Sequence, residues 1–431
     1  MQKVDCENCP IVKMLLEKIK ELEERIAVLE RRLMLYENPH TPPSRTIGKY
    51  PPKKTSSGKP GQKKGHKGVT RLRPEPSEHC EVKMKSCPDC GNPLGKPVRF
   101  ERKIVEEIPE PMPVKVIEYL TYYYHCKYCN KEFTAKHPDM PKEGIFGKNV
   151  LVDTTLMKYE ERLPHRKIRA VLKRRYRLDV SIGAIFDFTR RVHGSLQTEY
   201  SLILQRIRNS KVTYIDETSI KVNGKKYWIW IFVTIFDTFI VIRKSRGMKV
   251  LKEILTRKYR GTIVCDGWKS YSNFTSKIQR CWAHMLRELK YLAEKFDEAI
   301  PINRSIHKLY NKLIKIIGED PPPGVRKRLW YEARATMNRW LKRKYVDDSL
   351  KKLVEKIRNG FDHWFTFIIT PGVESTNNRA ERALRECVVQ RKIIGTLRNE
   401  KGAHIYEVIM SVLATWKQQG KNLQKSLRAI I

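Results

Sequence analysis

Two short apolar runs, each closing on an aspartate, constrain this chain more than any other feature. Lys211-Val-Thr-Tyr-Ile-Asp216-Glu217-Thr218 reads as a buried strand ending in two carboxylates, and Gly261-Thr-Ile-Val-Cys-Asp266-Gly267 as a second short strand ending in one. Apolar runs without an alternating polar face suit strands covered on both sides of a sheet. Between them the sequence predicts a hairpin, with strands near 226–233 and 235–243. A helix over 249–258 follows, with Val250, Leu251, Ile254 and Leu255 inside. If the two aspartate-bearing strands are neighbours, Asp216 and Asp266 stand side by side.

Adjacent carboxylates repel each other, and such a pair usually holds a divalent cation. Two Mg2+ ions activate an attacking oxygen and stabilise a leaving oxygen at phosphorus. A third carboxylate is then expected from a later helix. Glu374-Ser-Thr-Asn377-Asn378-Arg-Ala-Glu381-Arg382-Ala-Leu-Arg385 offers it: with a helix starting near Thr376 or Asn377, Glu381 lies in the second turn. Arg382 and Arg385 beside it suit phosphate oxygens.

Charge points to the same class of partner. The 431 residues carry 87 Lys+Arg against 47 Asp+Glu, a net charge of +40, which attracts polyanions and releases their counterions on binding. Residues 41–73 are rich in Pro, Gly, Ser and Lys, with no acidic residue. This stretch is expected to be a disordered linker able to lie along phosphates, through Lys53, Lys54, Lys63, Lys64, Lys67, Arg71 and Arg73. Residues 163–191 have the length and basic character of a helix-turn-helix, with Arg174 and Arg175 as candidate DNA contacts. Ile168, Val171 and Leu172 line its first helix, Ser181 N-caps the second, and Ile182, Ile185, Phe186 and Phe188 are expected to face inward. The same pattern fits two ordinary core-packing helices.

Six of the ten cysteines fall in C-x-x-C pairs. Residues 1–10 are polar and lack the apolar run of a secretory signal, and no stretch has the length of a membrane span. The chain is therefore expected to be soluble and cytoplasmic, associated with the nucleoid and not with a membrane, and its cysteines to bind metal rather than form disulfides. Cys87-Pro-Asp-Cys90 and Cys126-Lys-Tyr-Cys129 are two knuckles suited to one tetrahedral Zn2+. The β-like runs 98–108 and 114–124 predict a hairpin between them. His79, Cys80 and His125 are bystanders or alternates, and Cys6 with Cys9 form a lone pair of weak meaning.

Near the start, Val12, Leu15, Ile19, Leu22, Ile26, Leu29, Leu33 and Tyr36 recur in alternating steps of three and four. Val12, Ile19, Ile26 and Leu33 take the a positions of a heptad, and Leu15, Leu22, Leu29 and Tyr36 the d positions. Ile and Val at a with Leu at d favour a parallel dimer, in which Lys18 and Arg25 at g reach Glu23 and Glu30 at e of the partner. The alternative is an amphipathic helix packed on its own chain.

These features resemble the insertion-sequence-sixty-six family of transposases. The resemblance rests on the zipper-like start, the basic Lys59-Pro-Gly-Gln-Lys-Lys-Gly-His-Lys-Gly68 segment and the four cysteines. It continues through Asp216-Glu217-Thr218, Asp266-Gly-Trp268-Lys-Ser-Tyr271, Cys281-Trp282-Ala-His284 and Asn377-Asn378-Arg-Ala-Glu381-Arg382-Ala-Leu-Arg385. It implies an α/β, RNase H-like catalytic domain with Asp216, Asp266 and Glu381 as an Asp-Asp-Glu triad, Mg2+ or Mn2+ as its cofactor, and a helical insertion at about 289–367. Glu374 and Glu386 remain rivals for the third position. His284 and Trp282 are expected near the site, with a core role favoured for Trp282.

The expected organisation is a coiled coil over 1–38, a basic linker over 39–79 and a four-cysteine zinc module over 80–140. A helical, DNA-binding region over 150–210, the catalytic domain over 211–400 and a helical tail over 401–431 follow. The partners implied are the DNA ends of a mobile element and its target, a second copy of the chain or a higher oligomer, and accessory proteins of the same element. Two other functions share most of these features: a non-catalytic, domesticated DNA-binding protein, and a structure-specific nuclease on the same fold. Only the enzymes need the three carboxylates. For the coiled coil, a peptide of residues 12–36 should sediment as a dimer at high micromolar concentration; a monomer there would contradict the heptad assignment.

Overall fold

The computed structural model describes residues 10–36, 75–135 and 137–431. The chain divides into two compact units, residues 1–110 and 111–431. Cys6, Cys9 and the linker cations Lys53, Lys54, Lys63, Lys64, Lys67, Arg71 and Arg73 lie outside the described residues, as do the side chains of Leu33 and Tyr36.

In the first unit, α1 (Pro10–Tyr36) is a continuous helix. Its heptad residues Leu15, Ile19, Leu22, Ile26 and Leu29 are all exposed, an apolar stripe that none of the described residues covers. Further on, Cys87–Cys90 form a tight turn. The amide of Gly91 donates to the Cys87 carbonyl at 2.9 Å, and the Cys87 amide to that of Asn92 at 2.8 Å. Gly91 takes φ 73°, a left-handed conformation that glycine adopts without a Cβ clash.

In the second unit the other knuckle repeats that geometry. It sits at the tip of the antiparallel hairpin of β1 (Tyr123–Cys126) and β2 (Lys131–Thr134). The Asn130 amide donates to the Cys126 carbonyl at 2.9 Å, and Asn130 takes φ 54°. The hairpin thus encloses the second knuckle instead of lying between the two. Residues 98–108 and 114–122 form no strand. Val98, Phe100, Val105, Ile108, Val116 and Leu120 are exposed, and β-branched runs without cross-strand neighbours gain little from extended pairing.

Four helices follow: α2 (Lys148–Tyr159), α3 (His165–Tyr176), α4 (Ile182–Ser195) and α5 (Gln197–Arg208). Arg177, at φ 51°, ends α3, and the Ser181 hydroxyl caps α4 by accepting from the Ala184 amide at 3.1 Å. Ile168, Leu172, Ile185 and Phe188 are buried, whereas Ile182 and Phe186 are exposed. The buried face of α4 runs through Ile185, Phe188 and Val192, and Phe186 is one residue round the helix from it. The expectation that all four apolar residues of α4 point inward is corrected accordingly.

The core of the unit is a five-stranded sheet. Its strands are β3 (Val212–Val222), β4 (Lys225–Val233), β5 (Thr238–Arg243), β6 (Thr262–Cys265) and β7 (Ile278–Arg280), in the order β5-β4-β3-β6-β7. The first three form an antiparallel meander, and β6 and β7 add in parallel. Asn223 and Gly224, both at positive φ, make the two-residue turn from β3 to β4, whose twist matches that of the strands. Ile229, Trp230, Ile231 and Phe232 on β4 and all four residues of β6 are buried, so both faces of the sheet are covered. The short helices α6 (Met248–Ile254) and α7 (Lys269–Phe274) pack together.

Between β7 and the last part of the chain stand α8 (Trp282–Ala293), α9 (Ala299–Gly318), α10 (Pro323–Leu341), α11 (Asp348–Arg358), a 3-10 turn (Phe361–Trp364) and α12 (Thr366–Ile369). They share apolar stripes such as Ile302, Ile306, Leu309 and Leu313 on α9, and Leu329, Ala333, Met337 and Leu341 on α10. Then α13 (Asn378–Ile394) packs on β3 and β4, α14 (Glu400–Gln418) on β5, and α15 (Leu423–Ile430) on α2. No helix among the described residues is long and apolar enough to cross a membrane.

The open edge of the sheet is sealed by side chains. Thr415 accepts from the Thr238 amide at 3.0 Å, Ser411 from Ile240 at 2.8 Å and Glu407 from Ile242 at 2.6 Å. Four helical residues, a rise of about 6 Å, nearly match two strand residues, about 6.8 Å. Side chains four apart on α14 therefore meet alternate amides of β5, replacing the missing strand. Ser411→Ala or Thr415→Val leaves a buried amide unpaired and should each lower stability by about 1–3 kcal/mol in urea unfolding; an unchanged midpoint would contradict this sealing role.

Candidate active site

The parallel pairing of β3 with β6 matches Val212 with Thr262, Thr213 with Ile263 and Tyr214 with Val264. Asp216 and Asp266 each stand two residues beyond the last matched pair, on adjacent strands running the same way. Asp216 Oδ1 accepts from the Glu217 amide at 2.9 Å, and Asp266 Oδ1 from the Trp268 amide at 2.9 Å.

The third carboxylate comes from α13. Asn378 is the first helical residue, so Glu381 lies in the first turn, one turn earlier than its sequence suggests. Asn377 fixes this helix end. Its buried side-chain amide donates to the Ile215 carbonyl at 2.8 Å, one residue before Asp216. Its backbone amide donates to Cys281 Sγ at 3.1 Å, and Cys281 is tied to β6 through its own amide and the Cys265 carbonyl at 2.9 Å. Asn377 is a positioning residue that sequence reasoning passed over; the signal was a paired asparagine just ahead of a basic helix.

Burial and neighbouring negative charge both act on Asp216. The Asp216 carboxyl is held well above the usual carboxylate range, first by burial and then by the negative charges of Glu217, Asp266 and Glu381. Glu217 points to the other face of β3, since successive strand residues alternate. There it accepts from Arg246 Nε at 2.8 Å and from the Tyr271 hydroxyl. Burial, then the charge of Asp266, raises Glu217 as well.

The rivals of Glu381 are each neutralised elsewhere. Glu374 pairs with Arg379, and Glu386 takes a two-pronged contact from Arg162 at 2.5 and 2.7 Å. Glu381 Oε1 is buried and makes no hydrogen bond, although His284 Nδ1 and an Arg287 nitrogen each stand 3.5 Å away. Cys281, His284 and Glu381 offer ligand atoms within 4.8 Å of one another. Trp282 is fully buried, donating to the Trp364 carbonyl at 2.6 Å.

A cavity of about 1180 Å³ opens beside this site at Gly267. It is lined by Arg280, Arg343, Lys344, Lys351, Lys352, Lys356 and Arg358, with Glu355 as its one acidic residue. Every one of these cations except Arg280 comes from the helical insertion, which sequence reasoning did not read as a binding surface. Of the earlier candidates, Arg174 and Arg175 are exposed at the end of α3, and Arg382 and Arg385 are exposed on α13. Arg382 borders a separate cavity with Tyr159, Glu160 and Lys417.

The family model described as Transposase IS66 family matches residues 143–405. The chain belongs to that family. The match runs from just ahead of α2 into α14 and includes Asp216, Asp266 and Glu381. A search of curated proteins finds no match. As an IS66-family transposase, the chain has the general role of a protein that acts on DNA.

The knuckles have their own electrostatic signature. Backbone amides directed at Cys87, chiefly that of Cys90 and then that of Asp89, hold its thiol below the usual range. The amides of Cys129 and Tyr128 do the same for Cys126. Each turn thus favours the thiolate, the form that binds metal.

Mutual repulsion at Asp216 yields a stability prediction. A carboxyl whose folded-state pKa is raised destabilises the folded protein above that pKa, and the penalty fades as pH falls towards the unfolded value. Without divalent cations, Asp216→Asn should therefore melt higher than wild type at pH 7.5, with the gap closing at acid pH. Added Mn2+ should stabilise wild type and not the variant. A variant that melts lower and keeps its Mn2+ response would contradict the placement of Asp216.

Proposed function

We propose that this IS66-family transposase is an Asp-Asp-Glu enzyme that cuts the ends of a mobile DNA element and joins them to a target. The observation that carries the reading is the shared register of Asp216 and Asp266 on parallel neighbours, with Glu381 close enough to add to the charge on Asp216. The strand order β5-β4-β3-β6-β7, an antiparallel meander extended by two parallel strands, supports an RNase H-like catalytic domain, with α8 to α12 as its insertion.

The residues present fit a divalent cation. The donors are hard carboxylate oxygens, their like charges stand uncompensated by Lys or Arg at Asp216, and Glu381 Oε1 is buried without a hydrogen bond. Asp216, Asp266 and Glu381 would hold Mg2+ or Mn2+. Such ions, when bound, make water or a 3′-hydroxyl a stronger nucleophile and stabilise the departing oxygen.

The chain's own residues bind and orient the rest. Asn377 holds the Glu381 helix against β3, and Arg287 and His284 flank Glu381. The cations of the insertion cavity hold the phosphates that lead into the site. Because α11 and the loop before it carry all of those cations except Arg280, the insertion is a DNA-gripping element. Away from the three carboxylates, each knuckle offers Zn2+ two thiolates. The exposed stripe of α1 is the surface for dimerisation, and the basic linker and α3 add phosphate contacts.

Asp266→Asn keeps the side-chain shape and removes one charge. It should lower Mg2+-dependent nicking and strand transfer on the element's own ends by at least about a thousandfold, a loss of several kcal/mol of charge stabilisation. DNA binding in a filter assay should stay within about twofold, because no phosphate contact is lost. Retained cleavage by the variant would overturn the assignment.

A further inference from the structure

We propose that Trp268 is a stacking platform for an unpaired nucleobase at the DNA end held in the site. This deepens the transposase reading above and rests on it. Trp268 is exposed at 42%, whereas the other seven tryptophans are buried or half-buried. It follows Asp266-Gly267 directly, and its amide is fixed by the Asp266 carboxylate at 2.9 Å. Trp268 is thus the residue next to Gly267, which lines the cation-rich cavity.

The ring is held by a stack behind it. The Arg246 guanidinium lies 4.3 Å from the centroid of the Trp268 ring and 4.8 Å from that of Trp228. Lys226 lies 4.8 Å from the Trp228 ring. Arg246 is itself anchored by the buried Glu217 at 2.8 Å. Cation–aromatic contacts of this kind order both partners. The pair Glu217–Arg246 thus couples the far face of β3 to the pose of Trp268, which gives Glu217 a task distinct from that of Asp216.

The chemistry selects the occupant. An exposed indole among Lys and Arg side chains matches a flat, π-faced base on a phosphate backbone. Bases inside a duplex present only their edges, so a base must leave the stack to reach Trp268, as happens when enzymes work on a single nucleotide.

The probe is a duplex oligonucleotide with a short unpaired 3′ tail carrying 2-aminopurine, whose fluorescence is quenched on stacking. The full chain is mixed with it before any divalent cation is added, and binding is followed separately by anisotropy. Wild type should quench the tail probe and not the same base placed inside the duplex. Trp268→Ala should bind with most of the quenching lost, and Trp268→Tyr should restore it; the latter also shows that a loss in the alanine variant is not misfolding. Loss of a single stacking contact should weaken tail binding by roughly fivefold to over a hundredfold. Equal quenching by wild type and Trp268→Ala at saturation, or none by either, would overturn the platform. Mg2+ is then added to the same samples. Trp268-dependent quenching without cleavage would retain the platform and overturn the catalytic reading; cleavage with quenching indifferent to Trp268 would overturn the platform alone.

Discussion

The catalytic unit turns on three matched residue pairs between β3 and β6. That parallel pairing forces Asp216 and Asp266 into neighbouring positions at the sheet's C-terminal edge. Asp216 pays first in burial and then in repulsion from Glu217, Asp266 and Glu381. A fold does not gather carboxylates in a part-buried place for stability alone, since each desolvated charge is costly unless paired. Much of the surrounding architecture can be understood as holding this unfavourable arrangement in place. Apolar β4 and β6 supply burial on both faces, and the Asn377 side chain pins α13 to the strand that carries Asp216.

The treatment of the other acidic groups sharpens that picture. Glu374, Glu386 and Glu217 each have an arginine of their own, in Arg379, Arg162 and Arg246. Glu381 has Arg287 and His284 at 3.5 Å from Oε1 but no hydrogen bond there, and Asp216 is attended by carboxylates. The contrast separates acidic residues that each hydrogen-bond an arginine from Asp216 and Glu381, at which we propose a bound cation. Glu217, beside Asp216 in sequence and opposite to it in space, belongs to the first group.

The two aspartate-bearing strands were legible because burial on both faces leaves an unbroken apolar run, and the hairpin between them because 226–233 and 235–243 are runs rich in β-branched and aromatic residues. Their adjacency was not, since a parallel pair separated by a meander and a helix leaves no local mark. Glu381 could not be separated from Glu374 and Glu386 by spacing; their arginine partners, one of them Arg162 far away in sequence, make the distinction. The β-like run at 98–108 and all of the run at 114–124 but its last two residues form no strand, because propensity counts for little without neighbours to pack against. The sealing of β5 by Glu407, Ser411 and Thr415 was hidden for the opposite reason. Polar residues at helical spacing look like a solvent-facing stripe, and here they face an edge of unpaired amides.

The most direct test of the central claim is to locate the cation on the chain. Fe2+ bound in place of Mg2+ generates hydroxyl radicals with ascorbate and peroxide, which cut the polypeptide next to the ion. The account predicts cuts close to Asp216, Asp266 and Glu381, three places distant in sequence, all suppressed together by excess Mg2+. Cuts confined to other segments, or cuts at one of the three positions alone, would contradict a shared cation site built on the pairing of β3 with β6.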